Sequence, residues 1–256
     1  MKARKVCLGL GVAMALASMP AGAWAEEAAA EPAATAAASV DVASAYIFRG
    51  GTVNDKVNVQ PSLEGSFYGA TLGTWGNLNT DSSQFDEIDY YVSYDLPLNL
   101  PVGFSVGYTE YTYPTAGQDY PDGLPKDSTS AGLEADREIN VGASHELTIN
   151  DKTKLASSLT GNFGIEGPFL DKGINVTLDE SIDYAACDKT TISFGATGAA
   201  ELGDNFAENG VSYAQLNLGA SYGPLSAGAH YVIETDKDVL AVDKDFYGTV
   251  GVSLPL

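Results

Sequence analysis

One pattern runs from Val40 to Leu256: apolar and polar side chains alternate, a turn interrupts them, and the alternation starts again. Between Ile88 and Leu96, for example, every second position is apolar and polar residues such as Asp89 and Asp95 lie between. Successive side chains of a strand point to opposite faces, so each such segment has one apolar and one polar face. We predict about twelve strands, near 40–50, 57–67, 69–78, 87–96, 102–113, 137–148, 154–165, 173–185, 190–202, 211–222, 225–235 and 246–256.

The connections between these segments alternate between two kinds. Tight turns such as Tyr68-Gly69 and Gly223-Pro224 alternate with longer polar loops such as 79–86 and 114–136. Membrane barrels have short turns at the periplasmic end and long loops at the outer end. The sequence therefore predicts an all-β fold, a transmembrane antiparallel up-and-down β-barrel of about twelve strands that starts and ends in the periplasm. A soluble, lipocalin-like exported barrel is the alternative that this alternation disfavours.

The segment before the first strand divides into two parts. Residues 1–25 have a basic start, an apolar middle and the small-x-small sequence Ala23-Trp24-Ala25, which predicts a cleaved signal peptide. Residues 26–39 are rich in alanine, and we interpret them as a flexible tail, with a short helix as the alternative. The barrel is then expected to span 40–256.

Charge and cysteine content limit the function further. The chain has 34 acidic and 13 basic residues, and three of the basic residues, Lys2, Arg4 and Lys5, lie in the leader. Nucleic acid is not an expected partner, because phosphate binding needs clustered Lys and Arg. Cys187 is the only cysteine outside the leader, which excludes an internal disulfide in the exported chain.

The beginning of the predicted barrel resembles a known family. Asp41-Val42-Ala43-Ser44-Ala45-Tyr46-Ile47-Phe48-Arg49-Gly50-Gly51, Val59-Gln60-Pro61, Thr74-Trp75-Gly76-Asn77 and Glu87-Ile88-Asp89-Tyr90-Tyr91 resemble the start of the TorF-type porin family. The resemblance implies an outer-membrane barrel of Gram-negative bacteria with transport activity. It implies no catalytic or binding residues.

If the apolar faces meet lipid, the polar faces line a lumen that carboxylates dominate. The candidate lumen-lining residues are Asp41, Arg49, Glu64, Asp89, Asp95, Glu138, Asp183, His230 and Glu234. Rings of Asp and Glu favour cations. We hypothesise a narrow, weakly cation-selective porin-like channel for passive diffusion of small solutes. The alternatives are a polar filling that does not conduct and a barrel that is structural or binds a partner at its surface.

Arg49 is singular because it and Arg137 are the only arginines outside the leader. We expect it to lie on the barrel wall and to bind the carboxylates of Asp41, Glu64 or Asp89 across the lumen. That role is either structural or that of a constriction or selectivity element.

No enzyme is expected. His145 and His230 are the only histidines, our register places His145 on the outer face, and catalytic, phosphate-loop and zinc motifs are missing from the sequence. A barrel lipase or protease is the enzyme alternative. The acidic loop 114–136 offers oxygen ligands for calcium or for cations that bridge lipopolysaccharide, but its spacing matches no defined calcium loop. We expect no cofactor and no resident metal, and as partners membrane lipid, lipopolysaccharide and small solutes or cations.

Overall fold

The computed structural model describes residues 34–115, 135–203, 210–234 and 245–256. These residues form fourteen strands: β1 Ala34–Ala43, β2 Tyr46–Phe48, β3 Gly51–Asn54, β4 Asn58–Phe67, β5 Ala70–Asn79, β6 Gln84–Asp95, β7 Gly103–Thr112, β8 Asp136–Asn150, β9 Thr153–Glu166, β10 Gly173–Cys187, β11 Thr190–Gly203, β12 Gly210–Tyr222, β13 Leu225–Glu234 and β14 Phe246–Pro255. Within the described residues, no helix is both long enough and apolar enough to cross a membrane.

Twelve of these strands close into one antiparallel barrel, while β2 and β3 pair only with each other. Strand β1 closes the barrel, because it pairs with β14 on one side and with β4 on the other. The tight turns all lie at one end, which we call the tight-turn end, and the longer connections lie at the loop end. Both β1 and β14 reach the tight-turn end, where the backbone amide of Leu256 donates to the carbonyl of Ala36.

The two faces of the wall have opposite polarity. On β6, the outward side chains of Tyr90, Val92 and Tyr94 are exposed, whereas the inward carboxylates of Glu87 and Asp89 are buried. The same arrangement holds around the barrel: most large exposed side chains are apolar and most buried ones inside are polar. A soluble barrel would enclose its apolar faces as a dry core, so this orientation suits a wall that contacts lipid.

The predicted all-β barrel is confirmed, and eleven of the twelve predicted strands agree with the structure to within three residues at each end. The first strand was predicted wrongly. The wall strand is 34–43, six residues further toward the N-terminus than the predicted 40–50, so part of the alanine-rich segment belongs to the barrel. Alanine is small and has no polar face, so this strand shows little alternation in the sequence. The predicted signal peptide lies outside the described residues.

Candidate functional site

The chain leaves the barrel wall after Ala43 and forms a hairpin from β2 and β3. We call Tyr46–Asn54 the lumen hairpin. Its two-residue turn is Arg49-Gly50, and both residues have positive φ, 48° and 82°. Two residues with positive φ are typical of a type I′ turn, which matches the twist of the strands that it joins. The local sequence therefore sets a tight hairpin, with Arg49 at its tip.

One side of the lumen hairpin contacts the wall formed by β5, β6 and β7. The Tyr46 ring packs against Trp75 at a centroid distance of 5.6 Å, and its hydroxyl donates to the Glu87 carboxylate at 2.7 Å. Phe48 meets Tyr111 edge-on at 5.9 Å. The hairpin is therefore held inside the barrel by aromatic contacts and by a hydrogen bond to a charged group.

The other side of the lumen hairpin contacts the opposite wall. Ile47 lies in a small buried apolar cluster with Tyr213, Val232 and Tyr247 of β12, β13 and β14. At the turn, a side chain in place of the hydrogen of Gly50 would overlap the ring of Tyr213. Because contacts run to both walls, the hairpin spans the lumen from β5–β7 to β12–β14.

Arg49 makes a buried ion pair at the tip of the hairpin. Its Nη2 lies 2.7 Å from Oε2 of Glu138 on β8, and both side chains are at most 5% exposed. The hydroxyl of Tyr111 donates to the same carboxylate oxygen at 2.8 Å. A buried carboxylate is tolerated when it is paired and hydrogen-bonded, and these two partners supply both conditions for Glu138.

Next to this ion pair the lumen wall is acidic. Asp89 is fully buried, and neither of its carboxylate oxygens has a hydrogen-bond partner among the described residues. Glu87 and Glu138 are buried as well, and Glu201 of β11 has one carboxylate oxygen without a partner in the same part of the chain. Within the described residues, no group of three or more His, Cys, Asp or Glu side chains is arranged to hold a metal ion. The site is therefore a buried acidic zone with one guanidinium.

A chain of side-chain hydrogen bonds runs along the inner wall next to the Arg49–Glu138 ion pair. Asn140 of β8 donates to Asn162 of β9 at 2.7 Å, and Asn162 donates to Asn175 of β10 at 3.0 Å. Asn175 donates to the Glu201 carboxylate at 2.6 Å, while Thr109 of β7 donates to Asn140. We call these five residues the amide ladder. It crosses five neighbouring strands and satisfies buried polar groups that would otherwise be costly.

Toward the tight-turn end the side chains that line the lumen become smaller and less buried. Its inward positions there are mostly serine and glycine and are half-exposed; they include Ser39, Ser62, Ser93, Ser105, Gly142, Ser144, Ser158, Ser181, Ser193, Ser221 and Ser226. Small side chains leave more of the lumen unfilled than the buried amides and carboxylates do at the loop end. We call the part of the lumen that contains the lumen hairpin the constriction, and the part lined by these small side chains at the tight-turn end the vestibule.

The structure places the predicted lumen residues as follows. Glu138 and Asp89 lie at the lumen hairpin, whereas Asp41, Asp95 and Asp183 are half-buried at inward positions of β1, β6 and β10. Glu64 accepts a hydrogen bond from the hydroxyl of Tyr91 at 3.1 Å. His230 is buried, with Nδ1 2.7 Å from Oδ1 of Asn217 and its ring stacked on Tyr247. Glu234 ends β13, and its side chain lies outside the described part of the chain.

The prediction for Arg49 was wrong in two respects. It lies on the lumen hairpin and not on a wall strand, and its partner is Glu138 in place of Asp41, Glu64 or Asp89. The physical reason is the turn: Arg49 and Gly50 reverse the chain, so the guanidinium approaches β8 from inside the barrel. Of the acidic loop 114–136, residues 116–134 lie outside the described residues. Asp136 accepts hydrogen bonds from the Tyr113 hydroxyl and from the backbone amide of Leu170.

Sequence reasoning missed the lumen hairpin and the amide ladder. Four consecutive residues without a polar face, 45–48, precede the turn residues Arg49-Gly50-Gly51, and both signals contradict a wall strand. The pairing of the ladder residues depends on the strand register, which a sequence pattern does not fix to the residue.

Comparisons with known proteins agree with the barrel. Residues 27–251 match the family described as "Bacterial protein of unknown function (Gcw_chp)". No curated protein matches the chain. Among solved structures, the COG4313 outer membrane channel from Pseudomonas putida F1 has a TM-score of 0.52 and 11% identity, covering 89% of this chain and 97% of that one. The NanC porin has a TM-score of 0.50 and 10% identity, covering 86% of this chain and all of that one. At such identities the likeness concerns the fold.

Proposed function

The chain belongs to the Gcw_chp family of bacterial proteins of unknown function, and we propose that it is an outer-membrane, porin-like channel whose lumen is narrowed by its own hairpin. The observation that carries this proposal is the lumen hairpin, which meets both walls of the barrel. A channel whose constriction is made by an inward-folded segment passes only small solutes. The TorF-type assignment remains a prediction.

The acidic residues beside the hairpin support a preference for cations. Glu87 and Asp89 of β6 and Glu138 of β8 are buried acidic residues on one side of the hairpin, and the single guanidinium of Arg49 is paired with Glu138. Since negative rings lower the energy of cations and raise that of anions, the excess favours cations. The inward carboxylates of Asp41, Asp95 and Asp183 extend the same sign into the vestibule.

The proposed outer-membrane location follows from the apolar outer surface of the barrel wall. Apolar side chains cover the outer surface, as a lipid-facing wall requires, and a cleaved leader at 1–25 supplies the export route. Membrane lipid and lipopolysaccharide are then the partners of the outer surface, and small solutes or cations are those of the lumen.

A non-conducting barrel is the second candidate, and one observation favours it. Tyr46, Ile47 and Arg49 of the hairpin are nearly completely buried, so the constriction is densely filled. A lumen that stays filled in this way would leave the barrel as a structural or surface-binding element.

Planar-bilayer recording under a KCl gradient tests the proposal. We expect small single-channel currents with a reversal potential of cation sign. Asp183→Asn, which removes a half-buried carboxylate that faces the lumen, should move that potential toward zero, whereas Asp89→Asn should change it less because the Asp89 side chain is fully buried. Absence of current, or a reversal potential of anion sign, contradicts the proposal.

A further inference from the structure

Three polar residues form a row on the outer surface of the barrel. His145 of β8 pairs with Ser157 of β9, and Ser157 pairs with Glu180 of β10, so the three lie side by side. The next outward row toward the loop end consists of Ala143, Leu159 and Leu178, and the next row toward the tight-turn end consists of Leu147, Leu155 and Ile182. Polar and ionisable groups between two apolar rows of a lipid-facing wall are costly and mark functional sites.

Hydrogen bonds hold this polar row in a fixed arrangement. The Ser157 hydroxyl donates to a carboxylate oxygen of Glu180 at 2.6 Å. Nδ1 of His145 lies 2.7 Å from the carbonyl oxygen of Pro101, so this nitrogen carries the hydrogen. Because Nδ1 bonds Pro101, the other ring nitrogen of His145, Nε2, is available to another partner. The row therefore presents an acidic group and an imidazole on either side of one hydroxyl.

A shallow groove adjoins the polar row on the same outer surface. It has a volume of about 150 Å³, and Val102, Ala143, Leu159 and Leu178 form its apolar lining, with His145 and Ser157 at its edge. The groove lies on the loop side of the row, which is the side of the membrane centre. Pro101, which anchors His145, belongs to the tight turn between β6 and β7, so the row lies near the tight-turn boundary of the membrane.

We propose that the polar row and the groove together bind one phospholipid with an amine headgroup, such as phosphatidylethanolamine, from the leaflet at the tight-turn end. The ammonium group binds the Glu180 carboxylate, the phosphate contacts the imidazole of His145, and the first part of an acyl chain lies in the groove. This arrangement matches the orientation of a lipid in the leaflet, with its headgroup at the boundary and its acyl chains toward the centre. The polar row is nearer the membrane boundary, and the groove is nearer the membrane centre.

Charge complementarity supports a lipid of this class. A zwitterionic headgroup carries one positive and one negative group, and the row offers one acidic and one basic partner for them. The inference rests on the membrane placement in the proposed function, but not on whether the lumen conducts.

Native mass spectrometry of the full-length mature protein, released from nanodiscs with equal phosphatidylethanolamine and phosphatidylglycerol, tests the inference. We expect one retained phosphatidylethanolamine per barrel. Glu180→Gln should lower its retention about tenfold, the effect of losing a hydrogen bond to a charged group. The matched control is Asp183→Asn, a carboxylate on the same strand that faces the lumen, and it should retain the lipid as the wild type does.

Three results would overturn the inference. The first is equal retention of both lipids by the wild type, which needs no variant. The second is unchanged retention by Glu180→Gln. The third is a wild-type dimer that Glu180→Gln converts to a monomer, because the row would then bind a second copy of the chain. Single-channel currents of Glu180→Gln should equal those of the wild type, so failure of the lipid site and failure of the channel are distinguishable.

Discussion

Arg49 and Glu138 are 89 residues apart in the chain, the first in the turn of the lumen hairpin and the second on β8, yet their side chains form a 2.7 Å ion pair inside the barrel. This pair joins the tip of the lumen hairpin to the wall strand β8. Because both groups are buried, neither can exchange its partner for water without moving the hairpin. The pair therefore couples the position of the hairpin to the charge balance of the constriction.

Arg49→Ala should destabilise the barrel by about 3–5 kcal/mol, since it leaves the Glu138 carboxylate buried without its cation. The matched control is Arg137→Ala. Arg137 pairs with Glu166 at a solvent-exposed site, so its loss should destabilise the barrel far less. Urea unfolding of the refolded proteins in detergent gives both values. Equal effects of the two substitutions would mean that the buried pair does not hold the hairpin.

Tyr46→Phe should loosen the hairpin, because Glu87 loses a hydrogen bond from the Tyr46 hydroxyl while the ring contact with Trp75 remains. We expect a loss of about 1–3 kcal/mol in unfolding free energy. The chain has two tryptophans, Trp75 and Trp24 of the predicted signal peptide, so the fluorescence emission of Trp75 in the mature protein reports the same region. Tyr90→Phe, on the outer face, is the control and should change neither quantity; an unchanged Tyr46→Phe protein would refute the contact.

Gly50→Ala should destabilise the protein by about 1–3 kcal/mol, because position 50 has positive φ and an added methyl group overlaps Tyr213. Gly198→Ala provides the comparison, since an added methyl group at position 198 has no atom within 4 Å among the described residues. Thermal shifts in heat-modifiable gel mobility measure both. A stable Gly50→Ala protein would argue against the turn as described.

Asn162→Ala should break the amide ladder in its middle and leave the side chains of Asn140 and Asn175 each without one partner. The expected cost is about 2–4 kcal/mol, from two buried groups left unsatisfied. Ser158→Ala changes an inward residue of the same strand in the vestibule and should cost less than about 1 kcal/mol. Equal midpoints in urea for the two variants would contradict a cooperative ladder.

Much of the wall could be predicted from the sequence, because a strand with one lipid face and one polar face has a period of two that side-chain chemistry makes visible. Segments such as β6 and β9 show this alternation along most of their length. The predicted position of strand β1 was wrong because the alanines between 34 and 38 give both faces of the strand the same apolar character.

The constriction could be predicted only in part. Asp89 and Glu138 were identified as inward residues from their position on β6 and β8, since the period alone assigns a face. The lumen hairpin was not predicted, because its contacts with Trp75, Glu138 and Tyr213 join segments that are far apart in the chain. Such contacts depend on how the barrel closes, which no local pattern contains.

The most direct test of the central claim compares single-channel conductance before and after removal of the lumen hairpin. In the variant, residues 46–54 are replaced by a short Gly-Ser linker between Ala45 and Asp55, and the wall strands β1 and β4 stay intact. We expect small wild-type currents and conductance several times larger in the variant, because the constriction is gone and the vestibule continues to the loop end. Equal conductance of the two proteins, with both folded by heat-modifiable mobility, would contradict the account.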